Sequence, residues 1–236
     1  MNHLFGRIQQ AQAEQKQFIA DAAHELRTPV TALNLQTKIL MSQFPEHEAL
    51  INLSKGLARI QHLVTQLLAL AKQDVGLNLI EPNTEFRLND VALNCVEQLV
   101  NLAMQKEIDL GFERNDVIEM NSLESTIHSI IFNLIDNAIK YTPNQGIINI
   151  SVYSDQDNFA CVQIEDSGVG IDPENYDKVL KRFYRVHHHL EVGSGLGLSI
   201  VDKAIQRLGG TLQLSRSIDL GGLSVLVRLP KILNHH

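Results

Sequence analysis

A repeat of apolar residues in the N-terminal part limits the fold of this chain more than any other feature. After Pro45, which is well placed to open a helix, apolar residues recur at spacings of three, four and seven. The repeat comprises Leu50, Leu57, Ile60, Val64, Leu67 and Ala71. Such spacing is typical of a coiled coil or a helical bundle.

Another long helix is predicted before this repeat, from about Leu4 to Met41, because the stretch is rich in the helix-forming residues Gln, Ala and Glu. Two helices joined by a short turn form a hairpin, and one hairpin cannot cover both of its own apolar stripes. We therefore expect a dimer that forms a four-helix bundle. The alternative is a monomeric hairpin that lies on a second domain.

The pattern changes to mixed helix and strand beyond residues 76–84, whose Gly, Asn, Pro and Glu predict a linker. Helices are predicted over residues 89–106 and 122–141, and from near Gly195 to the pair Gly209-Gly210. A short strand is predicted over residues 109–113, and hairpins over residues 147–165 and 211–229. Helices between antiparallel strand pairs predict a two-layer α/β sandwich. The predicted domains are residues 1–75, the helical hairpin, and residues 85–231, the sandwich.

Composition excludes several classes of protein. Hydrophobic residues make up 44% and charged residues 20%, values that indicate a folded globular chain. The formal net charge of −7 argues against binding to nucleic acid, which needs clustered Lys and Arg. No run approaches the roughly 18 apolar residues that a membrane helix needs. Cys95 and Cys161 have no CxxC spacing, so we expect a reducing compartment and no metal knuckle.

The first motif that carries chemistry lies on the first predicted helix, at residues 24–29. His24 and Thr28 are four residues apart, so they share one face of the helix. The Glu25 carboxylate can hold the tautomer of the neighbouring imidazole or take its proton, which leaves the other nitrogen free to attack an electrophile. Taken alone, such a pair is also common on a solvated surface. No second His follows at the spacing of an HExxH zinc site.

The second motif lies on the helix predicted over residues 122–141. Asn133 and Asn137 share one face of this helix, and Lys140 lies one turn beyond Asn137. Amide oxygens are suitable ligands for Mg²⁺, and a nearby lysine can meet the phosphates that the metal bridges. The simpler interpretation is a polar helix face.

Two glycine-containing motifs follow. Asp166 ends a predicted strand, where its carboxylate could accept a hydrogen bond from an exocyclic amine. Gly168 and Gly170 follow it, and such glycines let the backbone approach a flat ring. Taken alone, this segment is equally well a turn. Residues 193–198 open the last predicted helix, and their free N–H groups make an anion site. They match neither a P-loop, which has a Lys, nor a GxGxxG fingerprint.

Together these motifs resemble the cytoplasmic catalytic region of bacterial two-component sensor histidine kinases, the type that pairs with OmpR-like response regulators. The motifs correspond to the H box at residues 24–29, the N box at 133–143, the G1 box at 166–171, the F box at 182–184 and the G2 box at 193–198. The resemblance covers nearly the whole chain. It implies an α+β fold, in which a helical-hairpin dimerisation domain precedes a Bergerat (GHKL) sandwich related to that of gyrase.

The resemblance also implies a function. ATP would phosphorylate His24 with Glu25 as the base, the phosphoryl group would pass to an aspartate of a response regulator, and Thr28 would support phosphatase activity. Asn137 would hold Mg²⁺, Lys140 and Arg182 would meet phosphates, and Asp166 would read the adenine amine. The implied nucleotide-binding residues are Asn133, Asn137, Lys140, Tyr141, Asp166, Gly168, Gly170, Arg182, Gly193, Ser194, Gly195, Leu196, Gly197 and Leu198.

Two other functions stay open at this point. One is a dimeric scaffold that binds nucleotide without transferring phosphate, and the other is a Bergerat-fold ATPase without histidine phosphorylation. The resemblance implies that the chain forms a homodimer and is the cytoplasmic portion of an inner-membrane sensor, with transmembrane helices upstream of these residues.

Overall fold

The computed structural model describes residues 83–181, 184, 186 and 197–232, together with a discontinuous set of residues between 29 and 60. The chain divides into two compact units, Met1–Leu79 and Ile80–His236. The predicted limits of the two domains and the linker stay a prediction.

The described residues of the first unit are helical, except for Phe44 and His47. The amide of Phe44 still bonds to the Leu40 carbonyl at 2.9 Å, so the first helix ends there. The amide of Leu50 bonds to the His47 carbonyl at 2.9 Å as the next helix begins. This break lies shortly after Met41, where the sequence predicts the end of the first helix. Pro45 and the Val64, Leu67 and Ala71 portion of the repeat lie outside the described residues.

The second unit alternates strands and helices. In chain order it comprises β1 Thr84–Arg87, α1 Leu88–Gln105, β2 Asp109–Asn115, β3 Glu119–Ser122, α2 Glu124–Tyr141, β4 Ile147–Ser154, β5 Ala160–Asp166, a 3₁₀ turn Pro173–Asn175, α3 Tyr176–Val179, α4 Gly197–Arg207, β6 Thr211–Arg216 and β7 Leu223–Leu229. The predicted hairpins are β4–β5 and β6–β7. The short ribbon of β1 and β3 was not predicted from the sequence.

One five-stranded sheet forms the base of this unit, in the order β2-β4-β5-β7-β6. Only β2 and β4 pair in parallel; the other three pairings are antiparallel. On β4 the residues Ile148, Ile150 and Val152 are buried, as period-two alternation requires for a sheet with one covered face. The cover comes from α1, α2 and α4, whose apolar residues join those of the sheet in one core. The α/β sandwich expected from the sequence is therefore confirmed.

Helices α1, α2 and α4 face this core through residues spaced three and four apart. On α1 the buried set is Leu88, Val91, Ala92, Cys95, Leu99 and Ala103. Burial raises the pKa of the Cys95 thiol to about 12, which makes it an unreactive packing residue. Helix α4 stops at Gly209, which takes the left-handed φ of 69° while the Gly210 amide bonds to the Ile205 carbonyl at 2.9 Å, as the sequence predicts. No described helix is both long and apolar enough to cross a bilayer.

A partly exposed ion pair between Asp155 and Arg228 fixes the far end of the β4–β5 hairpin. The Oδ1 atom of Asp155 accepts from the backbone amides of Asp157 and Phe159 at 3.0 and 2.9 Å. Its Oδ2 atom accepts from Nε of Arg228 at 2.7 Å, and the same guanidinium lies 4.9 Å from the centre of the Phe159 ring. Partial burial opposes ionisation of Asp155, but the hydrogen bonds from Phe159 and Arg228 outweigh it, so its pKa lies below the usual value.

We predict that Asp155→Asn destabilises the protein at pH 7 and that this loss shrinks as the pH falls below about 4. The reason is that a lowered pKa gives stability that is present above the unfolded-state pKa and is lost as the folded carboxylate protonates. Urea unfolding midpoints of both proteins, measured from pH 7 to pH 3, test this. Asp157→Asn is the control, because that carboxylate is 75% exposed and its contact with Arg228 should matter less. A loss from Asp155→Asn that is independent of pH would contradict the prediction.

Candidate nucleotide-binding site

Helix α2 carries the predicted polar stripe on the side opposite its buried face. Asn133 and Asn137 are both partly exposed, whereas their neighbours Leu134 and Ile135 are buried. The Nδ2 atom of Asn133 donates to the Ser129 carbonyl at 2.7 Å, which holds this side chain along its own helix. The two amides are thus presented on one side of α2, as their spacing predicts.

Asn137 lies against the first residue of α4. A Cβ added to Gly197 would be 3.2 Å from Nδ2 and 3.4 Å from Oδ1 of Asn137, so a glycine lets the two segments approach this closely. The N-terminal end of a helix carries a partial positive charge. The end of the glycine-rich motif and the asparagine stripe therefore meet in space. Leu198, the next residue, packs against the core.

Lys140 is held by its own helix. Its ammonium pairs with the carboxylate of Asp136, one turn earlier, and both side chains are largely buried. This pair fixes the position of the lysine and compensates part of its charge. Asp136 was not predicted as part of the site from the sequence, although a spacing of four residues on a helix indicates such a pair. Tyr141 ends the helix with its side chain partly exposed.

Asp166 ends β5 with only 5% of its surface exposed. Its Oδ1 atom accepts from the backbone amides of Gly168 at 2.8 Å and Leu223 at 3.2 Å. Burial raises the pKa of this carboxyl, and the two amide donors offset part of that rise. Both donors go to Oδ1, so Oδ2 is the oxygen that can meet a ligand.

Close backbone packing surrounds this carboxylate. A Cβ on Gly168 would lie 2.5 Å from the Tyr141 carbonyl oxygen and 2.9 Å from Oδ1 of Asp166, so Gly168 joins the end of α2 to the end of β5. Gly170 takes a φ of 67°, which only a glycine adopts easily, and faces Gly222. A Cβ on Gly222 would lie 2.3 Å from the Asp166 carbonyl oxygen and 2.4 Å from its Oδ1.

Besides Asp136, two further residues, Gly222 and Asn175, make contacts near the site that were not predicted from the sequence. Gly222 was interpreted only as part of a hairpin turn, because nothing local indicates its contact with Asp166. Asn175 is buried in the 3₁₀ turn, and its Oδ1 atom accepts from the Tyr184 hydroxyl and from Nζ of Lys178, each at 3.1 Å. Asn175 thereby anchors Tyr184 of the segment that resembles the F box.

Several predicted site residues lie outside the described part of the chain. They are His24, Glu25, Thr28, Arg182, Gly193, Ser194, Gly195 and Leu196. The structure thus brings together the asparagine stripe, the Asp166 motif and the start of α4. The roles of all the predicted site residues stay predictions.

The described side chains fit a nucleotide with its metal. Within the described part of the chain, no group of three or more His, Cys, Asp or Glu residues is suited to hold a metal by itself. Mg²⁺ is commonly held by one or two protein oxygens together with phosphates and water. The partly exposed amide of Asn137, next to a helix N-terminus, provides such an oxygen beside an anion site.

Two family models match this chain. Residues 14–76 match the His Kinase A (phospho-acceptor) domain, and residues 122–232 match the histidine kinase-, DNA gyrase B-, and HSP90-like ATPase family. The first match covers the segment with His24, and the second covers every described site residue.

Similar proteins are sensor kinases. The swarming motility regulation sensor protein RssA of Serratia marcescens is 30% identical over 98% of this chain and 50% of its own length. The sensor protein QseC of Escherichia coli K12 is 32% identical over 96% of this chain and 50% of its own length. The chain therefore spans about half the length of the curated relatives it matches.

Solved structures agree with this assignment. The histidine kinase AdeS of Acinetobacter baumannii covers 88% of this chain with 98% of its own, at 26% identity and a TM-score of 0.59. The chain belongs to the sensor histidine kinases of two-component systems, as a phosphoacceptor region followed by a GHKL-type ATPase domain.

We predict that Gly222→Ala lowers the free energy of unfolding by about 1–3 kcal/mol, because its Cβ would overlap the Asp166 backbone and carboxylate. The same overlap should weaken binding of a non-hydrolysable ATP analogue. Gly111→Ala is the matched control, since nothing lies within 4 Å of a Cβ there and its stability should change by less than about 0.5 kcal/mol. Urea unfolding and fluorescence titration measure the two effects. Equal behaviour of both variants would show that the close packing at Asp166 is unimportant.

Proposed function

We propose that this protein is an ATP-dependent protein-histidine kinase that phosphorylates His24 and passes the phosphoryl group to an aspartate of a response regulator. Residues 1–75 serve as the dimerisation and phosphoacceptor domain, 76–84 as the linker and 85–231 as the ATP-binding domain. The observation that carries the proposal is the contact of Gly197 with Asn137, which unites an amide ligand and an anion-binding helix end in a domain of ATPase type.

Adenine recognition falls to Asp166. Its Oδ1 atom is fixed by the amides of Gly168 and Leu223, so that Oδ2 can accept from the exocyclic amine of adenine. Because the carboxylate is buried, this hydrogen bond is formed away from bulk water and discriminates strongly between bases with and without the amine. Gly168 and Gly170 let the backbone pack closely beside this carboxylate, and Tyr141 lines the pocket.

Phosphate recognition falls to the stripe on α2 and the start of α4. Asn137, supported by Asn133, would hold Mg²⁺, which when bound neutralises charge on the phosphates. Lys140, steadied by Asp136, faces the phosphates together with Arg182. The backbone amides of residues 193–198 complete the anion site. Phosphoryl transfer depends mainly on this positioning and charge compensation.

The phosphoryl group moves to His24. An imidazole nitrogen forms a bond to the γ-phosphorus, the bond from that phosphorus to the β–γ bridging oxygen breaks, and ADP leaves. Glu25 takes the imidazole proton or steadies the positive charge that develops. The phosphohistidine then donates its phosphoryl group to the aspartate carboxylate of the regulator, which restores His24.

A homodimer is supported by the first unit. The large apolar side chains Leu33, Leu35, Ile39, Leu40, Phe44, Leu53 and Ile60 are each more than 40% exposed in a single chain. A second hairpin would cover such a surface in a four-helix bundle. By analogy with the sensor proteins it resembles, the chain is the cytoplasmic portion of an inner-membrane sensor that acts on an OmpR-like regulator. The phosphoacceptor match favours the kinase over the scaffold and the ATPase.

We predict that the protein acquires an acid-labile phosphoryl group from γ-labelled ATP and Mg²⁺. His24→Ala should abolish the label while nucleotide binding persists, whereas Asn137→Ala should lose both. His47→Ala, at another histidine of the first unit, is the matched control and should keep the label. Label that remains in His24→Ala would contradict the assignment of His24 as the phosphoryl acceptor. Wild-type protein that stays unlabelled but steadily releases phosphate would favour the ATPase.

Phosphatase activity should depend on Thr28. We predict that Thr28→Ala slows dephosphorylation of the phosphorylated regulator at least about tenfold, because the hydroxyl that orients the attacking water is lost. Autophosphorylation of His24 should stay within about threefold of wild type, since that reaction uses no water. Thr31→Ala, on the same helix, is the control. Equal loss of both activities in Thr28→Ala would point to a general distortion of the helix.

A further inference from the structure

The ammonium group of Lys106 binds the C-terminal end of helix α2. Its Nζ atom donates to the carbonyl oxygens of Ile139 at 2.9 Å, Lys140 at 2.8 Å and Thr142 at 3.0 Å. An ammonium has three hydrogens to donate, so its donors match the three carbonyls in number. Lys106 follows α1 and lies 33 to 36 residues from these partners in sequence.

A cation is favourable at this end of helix α2. The last four carbonyls of a helix have no partner within it, and they carry a partial negative charge. In α2, the Ala138 carbonyl accepts from the Thr142 amide at 2.9 Å, and the next two carbonyls accept from Lys106. The basic residue of the last turn, Lys140, pairs with Asp136 one turn back, so Lys106 supplies the charge from another element.

A second set of bonds ties Lys106 to the loop after α2. Its backbone carbonyl accepts from the Gln145 amide at 2.9 Å, and Nε2 of Gln145 donates to Oε2 of Glu107 at 2.8 Å. The turn at residues 106–107 thus holds both the end of α2 and the loop that leads into β4. Thr142, between these two attachments, is 1% exposed.

The segment that Lys106 holds, residues 139–142, leads into the nucleotide site. The remaining carbonyl of the last turn, that of Tyr141, packs against Gly168 so closely that a Cβ would be 2.5 Å away. The amide of Gly168 in turn donates to Oδ1 of Asp166 at 2.8 Å. A shift of residues 139–142 would therefore move Tyr141 and disturb the residue that orients Asp166.

We propose that Lys106 is a positioning residue for nucleotide binding: it fixes the backbone at the end of α2 and thereby the placement of Tyr141 and Asp166. This inference rests on the proposed function of the site. The ammonium of Lys106 donates to three backbone carbonyls at the end of α2, so we expect its effect to fall on the affinity for ATP and not on the transfer step to His24.

The test is Lys106→Met in the full chain, with the initial rate of labelling by γ-labelled ATP measured against ATP concentration at a temperature at which the variant is folded. We expect the KM for ATP and the Kd of a fluorescent non-hydrolysable analogue to rise about tenfold, with the maximal rate within about twofold of wild type. Lys231→Met is the matched control, because Lys231 donates to Asn158 at 2.6 Å and has no bond to α2, and it should leave KM unchanged.

The variant Lys106→Arg separates the effect of the positive charge from that of the hydrogen-bond directions. The planar guanidinium keeps the charge but cannot direct its donors to the same three carbonyls, so KM should rise about threefold. This variant replaces Lys106→Met if the latter does not fold. A variant that is less stable but binds nucleotide like wild type overturns the inference and leaves Lys106 as a structural cap. Wild-type protein that binds no nucleotide overturns the proposed function as well, and the wild-type titration reveals that failure independently.

Discussion

The aliphatic face of helix α2 is the constraint on which the described nucleotide site depends. Its residues Ile127, Ile130, Ile131, Leu134, Ile135, Ala138 and Ile139 are all buried in the core shared with the sheet. Each large side chain of this kind stabilises the fold by about 1.5–3 kcal/mol, so the helix cannot rotate about its axis. With the apolar face fixed, the side on which Asn133, Asn137 and Lys140 lie is fixed too. The positions of these polar side chains therefore follow from the packing of apolar residues that take no part in binding.

The second constraint is the presence of glycines, which have no side chain, at the points where segments distant in sequence meet. Gly197 admits Asn137, Gly168 admits the Tyr141 carbonyl, and Gly222 admits the Asp166 carboxylate. At two of these contacts a Cβ would come within about 2.5 Å of a backbone oxygen, a distance that no rotamer change relieves. The site is thus formed by backbone approach, which is why its motifs are rich in glycine although only Gly170 among their described glycines has a positive φ.

Local patterns in the sequence predicted α2, the two hairpins and the glycine stop of α4, because periodicity and turn chemistry are properties of neighbouring residues. The ribbon of β1 and β3 was not predictable in this way, since each strand has only four residues and α1 and β2 separate the two strands in the chain. The hydrogen bonds from Lys106 and the contact of Gly222 with Asp166 were also not predictable, because each joins residues that are far apart in the sequence. The interpretation of Asp166 depended on its motif, and its burial and hydrogen bonds became visible only in the fold.

The burial of Asp166 links binding to stability. A raised pKa means that the fold disfavours the ionised carboxylate relative to water, and the amides of Gly168 and Leu223 compensate only part of this cost. On the proposed function, the adenine amine donates to the second oxygen and compensates more of it. A ligand that binds only the folded state also shifts the folding equilibrium in its favour. On the proposed function, the end of β5 is therefore a place where the domain is held below its maximal stability, and nucleotide binding and folding of this domain are expected to strengthen each other.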